Sequence, residues 1–440
     1  MSLVAPVRAL THGRVLRMAL PVMLSNAAVP ILGAVDTGVV GQLGQAAPIG
    51  AVGIGAIVLS SLYWLFGFLR MGTTGLTAHA AGAGDRGEVA ALFTRAMVIG
   101  LAAGLVLIAC QGLLFAGAFR LSPASEEVEG LARSYMSIRI YSAPAAIALF
   151  GVTGWLIAQE RTLAVLAIQL GMTAVNLVLD LLFVLKLGWG LEGVAWASLL
   201  AEWGGLLAGL WLCREVILDP AARHWPVVFD RARLLRMGLV NRDILLRSLM
   251  LQVVNVSFMF LGAHFGDVQL AANQVLMQFM MIISSALDGF AFAAEAMVGQ
   301  AMGRRDRPGL RRSVMLSGTW GVVTSLGLGL VFALAGGAII DLMTTAPEVR
   351  AAARHFLPWI VILPLAGVGA FMMDGVFVGA TRARDMRDMM ALSVLIYLGA
   401  AAALVPLMGN HGLWAAYVIS FLARGVTLAW RYPALEAEAV

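Results

Sequence analysis

The feature that most constrains this chain is a series of twelve apolar runs of about twenty residues or more, separated by short polar connections. A helix needs roughly 20 apolar residues to cross the hydrocarbon core of a bilayer. Both helical faces are apolar in these runs, whereas strands of a membrane barrel alternate apolar and polar residues over about ten positions. The sequence therefore predicts an all-α integral membrane protein with twelve transmembrane helices. The predicted spans lie near residues 15–40, 48–78, 91–118, 134–158, 163–186, 191–213, 241–264, 269–298, 311–341, 352–380, 388–408 and 411–432.

Composition supports the same conclusion. Charged residues make up 12% of the 440 positions and the mean hydropathy is +0.88, whereas soluble proteins carry about 25% charged residues. The net charge of +5 follows from membrane-flanking arginines, so we expect a lipid bilayer and no nucleic acid as partner. Cys110 and Cys213 lie within apolar runs and form neither a disulfide framework nor a metal motif.

The arginines orient the chain. If the N-terminus is cytoplasmic, the inner segments hold 22 basic residues and the outer segments hold five. Basic residues concentrate on the cytoplasmic side of membrane proteins. The sequence thus predicts a multi-pass protein of the plasma membrane, in a bacterium the inner membrane, with both termini in the cytoplasm.

The chain repeats itself once, at an offset of about half its length. Residues 49–54 correspond to residues 270–275, and a small-residue stretch leads into Gly and Arg at residues 82–86 and again at residues 299–305. Six spans per copy give both copies the same orientation, which is a parallel repeat. We expect two six-helix lobes, residues 1–213 and 241–440, joined by a cytoplasmic linker at residues 214–240.

Acidic residues within the spans of the first lobe are the first candidates for function, because a charge at the bilayer centre costs at least ~2.5–3.5 kcal/mol. Asp36 follows Pro21, which permits bending of the first helix. Asn176 and Asp180 are four residues apart and share a helical face, and Ser198 lies on the next span. These oxygens are suited to H⁺ exchange or to Na⁺ binding. The alternative for the two acids is a structural role, as helix-end caps or as partners of Arg70 or Arg139.

The second lobe offers three further acids. Asp288 and Glu295 are seven residues apart on the eighth span, and Asp374 lies on the tenth span after two prolines. Asp374 is the strongest of these candidates. The alternative for Asp288 is a structural role, as the partner of a hydrogen bond with the preceding turn. For Glu295, and for Glu202 in the first lobe, the alternative is an ion pair with a nearby arginine.

No motif for an enzyme or a nucleotide-driven pump is present. The chain lacks GxxxxGK[ST], a nucleophile elbow and HExxH, and its intramembrane histidines have no metal-like spacing. We expect a protein that is not an enzyme and that has no cofactor. The coupling ion is H⁺ or Na⁺, and apart from Na⁺ we expect no bound metal.

Several stretches together resemble the multidrug and toxic compound extrusion (MATE) transporters, with features of their DNA-damage-inducible (DinF-type) branch. They are residues 19–26 followed by Val35-Asp36-Thr37, residues 193–198, residues 294–300, and residues 373–381 with Met386-Arg387. The resemblance implies an antiporter that exports organic compounds by rocking two lobes around a central cavity. It assigns the first-lobe cation site to Asp36, Asn176, Asp180 and Ser198, helix bending to Pro21 and the second-lobe acid to Asp374. On span 7 this chain has Asn255 and Ser257 where Na⁺-coupled members place a Glu.

The sequence therefore predicts a monomeric, proton-coupled exporter of small cationic or amphipathic organic compounds. The alternatives are a Na⁺-coupled exporter and a lipid or oligosaccharide flippase of the same superfamily. Arg70, Arg139 and Arg424 are the cationic residues counted within the predicted spans, too few to favour an anionic lipid substrate. A channel would not need the buried acids.

Overall fold

A computed structural model describes residues 9–41, 46–121 and 125–439. Within the first helix the side chains of residues 29–38 lie outside the described part, and that of the predicted site residue Asp36 is among them. In the described residues the secondary structure is helical throughout, as the apolar runs predict.

The first half contains eleven α-helices in the part of the chain that the structure describes. They are α1 (His12–Gly41), α2 (Ala46–Trp64), α3 (Gly67–Gly82), α4 (Arg86–Ala109), α5 (Gln111–Leu121), α6 (Glu126–Arg139), α7 (Ala143–Ala158), α8 (Thr162–Asp180), α9 (Gly190–Leu212), α10 (Arg214–Leu218) and α11 (Trp225–Val228). A 3₁₀ turn, Ile140–Ser142, joins α6 to α7, and a π-helical segment, Leu181–Lys186, follows α8.

The second half consists of six long helices over the described residues. They are α12 (Arg231–Ala263), α13 (Asp267–Gly303), α14 (Arg307–Met343), α15 (Pro347–Gly379), α16 (Ala383–Met408) and α17 (Asn410–Ala437).

The predicted membrane fold is confirmed. Eleven segments of the described chain are long and apolar enough to cross a bilayer, and α1 has 30 residues, about 45 Å at 1.5 Å per residue. Several predicted spans are pairs of helices. The segment Ala47–Gly82 breaks between α2 and α3, and the segment Glu126–Ala158 breaks at the 3₁₀ turn, just before Pro144.

The helices divide into two compact units. The first unit includes residues 24–77 and 85–234, and the second includes residues 9–23, 78–84 and 235–439. The long helix α1 thus passes from the second unit to the first between Met23 and Leu24, just after Pro21. Proline removes one backbone hydrogen bond from a helix and favours a bend there.

The backbone confirms the repeat predicted from the sequence. Gly84 and Arg305, which correspond at the offset that takes residue 49 to residue 270, both have a positive φ, 75° and 57°. The same holds for Glu160 and Thr381, with φ of 59° and 57°. A positive φ is uncommon for a residue other than glycine, so its recurrence at the same offset marks two copies of one chain trace.

Helix caps recur at the same offset. The carboxylate of Asp85 accepts a hydrogen bond from the backbone N–H of Glu88 at 2.9 Å, at the start of α4. Asp306 does the same for Gly309 at 2.9 Å, at the start of α14. An aspartate in this position satisfies one of the unpaired N–H groups of the first turn.

The linker is ordered and packs on the first unit. Thr94 on α4 donates to the carbonyl of Ala222 at 2.8 Å, and buried Arg95 donates to the carbonyl of Val228 at 2.7 Å. Residues 231–240 of the predicted linker belong to α12, which starts at Arg231, and Asp230 accepts a hydrogen bond from the backbone N–H of Arg233 at 2.9 Å.

Candidate functional site

The buried face of α8 carries two of the predicted site residues. Asn176 and Asp180 are both fully buried, whereas Val175, Leu177 and Val178 on the same turns are exposed. Their spacing of four residues places the amide and the carboxylate on one face. The structure therefore directs the polar residues into the first unit and leaves the apolar ones for lipid.

Ser198 joins this group from α9. The side-chain amide of Asn176 donates to Ser198 Oγ at 3.1 Å, and both residues are buried. Three of the four residues predicted for the first lobe are thus placed, two of them in direct contact. Asp36 lies on α1 with its side chain outside the described residues.

The helix changes its winding directly after Asp180. Residues Leu181–Lys186 form a π-helix, in which Leu187 N–H bonds the carbonyl of Leu182 at 2.9 Å. Single π-helical turns inside α-helices are rare and often lie at functional sites. The wider turn starts at Leu181, so Asp180 is the last residue of the regular α-helix.

Glu202, one turn beyond Ser198, is engaged by an arginine. Arg139 donates to the carboxylate of Glu202 at 3.0 Å and to Ser142 Oγ at 3.0 Å. The hydroxyl of Tyr63 donates to the carbonyl of Arg139 at 3.1 Å. Glu202 thus forms the ion pair that was considered as its alternative role, and its partner is Arg139.

In the second unit Asp374 lies between two arginines. Arg247 on α12 forms a buried ion pair and hydrogen bond with its carboxylate, and Arg424 Nε on α17 stands 3.7 Å from the same oxygen. Two guanidinium groups therefore share one carboxylate inside unit 2.

The sequence reasoning missed Arg247. Arg247 lies within the predicted span 241–264, but it is not among the three intramembrane arginines expected from the sequence. The helix α12 carries it into the buried interior, so that set of three is incomplete. The signal that could have found it is the spacing of four residues between Asp243 and Arg247, which places both on one face of this span.

The other second-lobe acids lie on α13. Glu295 is buried and Asp288 is half-buried. One turn beyond Glu295, Gln300 accepts a hydrogen bond from Arg14 at 3.0 Å. Asp288 and Glu295 are thus on a different helix from the ion-pair partners of Asp374, which lie on α12 and α17.

Asn255 and Ser257, which stand where a Glu was expected for Na⁺ coupling, form packing hydrogen bonds. Tyr417 donates to the amide oxygen of Asn255 at 3.0 Å, and Ser257 Oγ donates to Tyr397 Oη at 3.3 Å. Both contacts join helices of the second unit.

Comparison with known proteins gives one consistent result. The family model MatE matches residues 21–182 and 244–407. The chain is 38% identical over 423 residues to DNA damage-inducible protein F of Escherichia coli, with 94% of this chain and 91% of that protein covered. It is 24% identical to a probable multidrug resistance protein NorM of Synechocystis, over 95% of this chain and 93% of the relative.

Solved structures give the same fold. The Vibrio cholerae MATE transporter VcmN in its bent form superposes with a TM-score of 0.87 at 20% identity, covering 97% of each chain. A transporter of the MOP superfamily from Pyrococcus furiosus, described as having a binding pocket of reverse polarity, superposes with a TM-score of 0.81 at 20% identity and covers 97% of this chain and 96% of that one.

Proposed function

Because the chain belongs to the MatE family of multidrug and toxic compound transporters, we propose that it exports small organic cations or amphipaths in exchange for H⁺. It is a membrane transporter and not an enzyme. The coupling group in this proposal is the cluster of Asp180, Asn176 and Ser198, together with Asp36. No cofactor takes part.

The single observation that carries the proposal is the fully buried carboxylate of Asp180. A charge in an apolar interior is costly, and binding of a cation removes that cost. A proton needs only the carboxylate. Na⁺ also needs neighbouring oxygens, and the adjacent Asn176–Ser198 pair supports the Na⁺-coupled alternative for the same site.

The repeat supports including Asp36. Positions 257 and 397 are the repeat counterparts of positions 36 and 176, and in the second unit Ser257 and Tyr397 are hydrogen-bonded. We expect the equivalent positions of the first unit to face each other, which would join Asp36 to Asn176.

The energy of such a cycle is sufficient for efflux. Moving one charge through 100 mV is worth about 2.3 kcal/mol, and ~1.4 kcal/mol corresponds to a tenfold concentration ratio. One H⁺ per cycle therefore sustains an export gradient of tens-fold. Loss and gain of the proton would be linked to bending of α1 at Pro21.

The setting of the transporter follows from its charge pattern. The excess of arginine on one side favours an orientation with both termini in the cytoplasm. We propose the inner membrane of a bacterium as the location, since the relative that is 38% identical is a bacterial protein. We propose that the monomer is the transporting unit.

Transport of ethidium into inverted vesicles tests the proposal. An imposed pH gradient should drive uptake and a Na⁺ gradient alone should not. Asp180→Asn should abolish uptake while Asp267→Asn, at an exposed acid where α13 begins, should retain it. Full activity of Asp180→Asn would refute the coupling role of this carboxylate. Uptake driven by a Na⁺ gradient alone would show that Na⁺, and not H⁺, is the coupling ion.

Asn176→Ala separates the two ions further. With H⁺ as the coupling ion, the variant should keep most of its activity, because the carboxylate alone binds the proton. With Na⁺, removal of an oxygen ligand should raise the Na⁺ concentration for half-maximal transport by tenfold or more.

A further inference from the structure

Arg424 on α17 is a buried guanidinium with an unused hydrogen-bond donor. Its side chain is 4% exposed, and its Nε donates to no described residue. Its nearest carboxylate oxygen, on Asp374, is 3.7 Å away, beyond hydrogen-bond distance. Buried polar groups nearly always have partners, so this guanidinium offers a donor that the described chain does not use.

The carboxylate nearest to Arg424 is shared with a second arginine. Asp374 is already hydrogen-bonded to Arg247. Asp288 on α13 also acts on Arg424 electrostatically, but more weakly than Asp374 does. The hydroxyl of Tyr417, on the same helix, donates to Asn255. Described groups face Arg424 from α12, α13, α15 and α17. The strongest carboxylate partner among them is Asp374, which already forms an ion pair with Arg247.

Aromatic rings flank the guanidinium. Its central carbon lies 5.0 Å from the ring centre of Phe421 and 5.6 Å from that of Phe371. The two rings stack on each other at 5.9 Å with an interplanar angle of 20°. A cation beside a flat apolar surface is suited to an anionic group attached to an aromatic or otherwise apolar body.

The first unit has uncharged residues at the positions equivalent to this cluster. The repeat counterparts of Arg247, Asp374 and Arg424 are Asn26, Thr153 and Trp203, all uncharged. The same helical trace is therefore built without an arginine cluster in the first unit. Buried ion pairs are also weak contributors to stability compared with apolar packing.

The side chains of the cluster are all buried. Arg424, Asp374 and Arg247 are 4%, 7% and 8% exposed.

We propose that Arg424 binds the anionic group, a carboxylate or sulfonate, of an amphipathic substrate. The proposal rests on the proposed export function and extends its substrates from cations to amphipathic anions. Phe371 and Phe421 would contact the apolar body of the substrate, and Arg247 would keep Asp374 from competing for Arg424.

The test pairs a charged ligand with an uncharged analogue. Binding of naphthalene-1-sulfonate and of naphthalene-1-sulfonamide to the purified full chain in detergent is measured by calorimetry, for wild type, Arg424→Gln and Arg424→Lys. Arg354→Gln, at a half-exposed arginine of the same unit, is the matched control.

Arg424→Gln should weaken sulfonate binding by tenfold or more, the size expected for a charge-assisted hydrogen bond, and should leave the sulfonamide within twofold. Arg424→Lys should lose less, because it keeps the charge, and Arg354→Gln should match wild type. Equal sulfonate affinity in wild type and Arg424→Gln, equal losses for both ligands, or no sulfonate binding by wild type would overturn the proposal.

Ethidium uptake separates this proposal from the export function. The melting temperature of Arg424→Gln in detergent shows whether it is folded, and uptake of ethidium into inverted vesicles is measured for wild type and for Arg354→Gln. If wild type transports no ethidium but its sulfonate binding depends on Arg424, the export proposal fails and the anion site stands. If wild type transports ethidium but its sulfonate affinity does not depend on Arg424, the anion site is refuted and the export proposal stands.

Discussion

Gly82 and Gly303 occupy equivalent positions of the repeat and pack against each other's helices in the second unit. A Cβ atom on Gly303 would overlap the carbonyl oxygen of His79, and one on Gly82 would overlap that of Gln300. His79 and Gln300 are themselves counterparts in the repeat. The C-terminal ends of α3 and α13 therefore cross symmetrically with their backbones in contact, which is possible because glycine has no Cβ atom.

Gly303→Ala should destabilise the protein, because the new methyl group forces the two backbones apart. The expected loss is about 1–3 kcal/mol, the usual cost of overpacking a core, seen as a lower melting temperature in detergent. Gly318→Ala is the control, since nothing lies within 4 Å of its added Cβ. That variant should be neutral or slightly more stable. Equal melting temperatures for both variants would contradict the tight crossing.

Much of this architecture could be predicted from the sequence because it depends on local patterns. Apolar run length defines the spans, and the small residues before Arg86 and Arg304 reveal the repeat. The positive φ at Gly84 and Arg305 then falls at the predicted offset. Local breaks such as the π-helical segment after Asp180 have no comparable sequence signal.

The side-chain partners could not be predicted in the same way, since they are set by residues far apart in the chain. Asn176 and Ser198 are brought together as expected because they lie on consecutive helices. Asp374 meets Arg247 across 127 positions, and no periodicity in either segment indicates this. Arg139 and Glu202, which also form an ion pair, are 63 positions apart.

Asn273 and Asn410 form a reciprocal amide pair in the second unit, with hydrogen bonds of 2.9 and 3.0 Å. Trp414 also donates to Asn273 at 2.9 Å. Asn410→Ala should cost about 1–3 kcal/mol, because it leaves buried amide groups of Asn273 unsatisfied. Adding Asn273→Ala should cost less than the sum of the single changes. Additive losses in melting temperature would show that the pair does not act as a unit.

Arg95 on α4 holds the linker through the carbonyl of Val228 at 2.7 Å, and Glu88 on the same helix pairs with Arg95 at 2.7 Å. Arg95→Leu should release this segment and speed trypsin cleavage at Arg214 or Arg223, which are exposed arginines of the linker. Arg312→Leu, an exposed arginine of α14, should leave the cleavage rate unchanged. An unaltered rate in Arg95→Leu would mean that the linker is held by other contacts.

Cys213 lies at the end of α9, where burial raises the pKa of its thiol to about 12. Because the thiolate is the reactive form, Cys213 should remain protonated and unreactive at pH 8. In a Cys110→Ala background, N-ethylmaleimide should not label the folded protein and should label it fully after unfolding in SDS. Rapid labelling of the folded protein at pH 8 would contradict the burial of this thiol.

Asp374→Asn should leave Arg247 and Arg424 as buried positive charges without their nearest carboxylate. Removing one partner of a buried ion pair typically costs about 3–5 kcal/mol, so the melting temperature should fall markedly. A second change, Arg247→Gln, removes the excess charge and should restore part of the loss. Asp267→Asn, at an exposed acid, should match wild type. If Asp374→Asn were as stable as wild type, or if Arg247→Gln added to its loss, the carboxylate would not be what balances these two arginines.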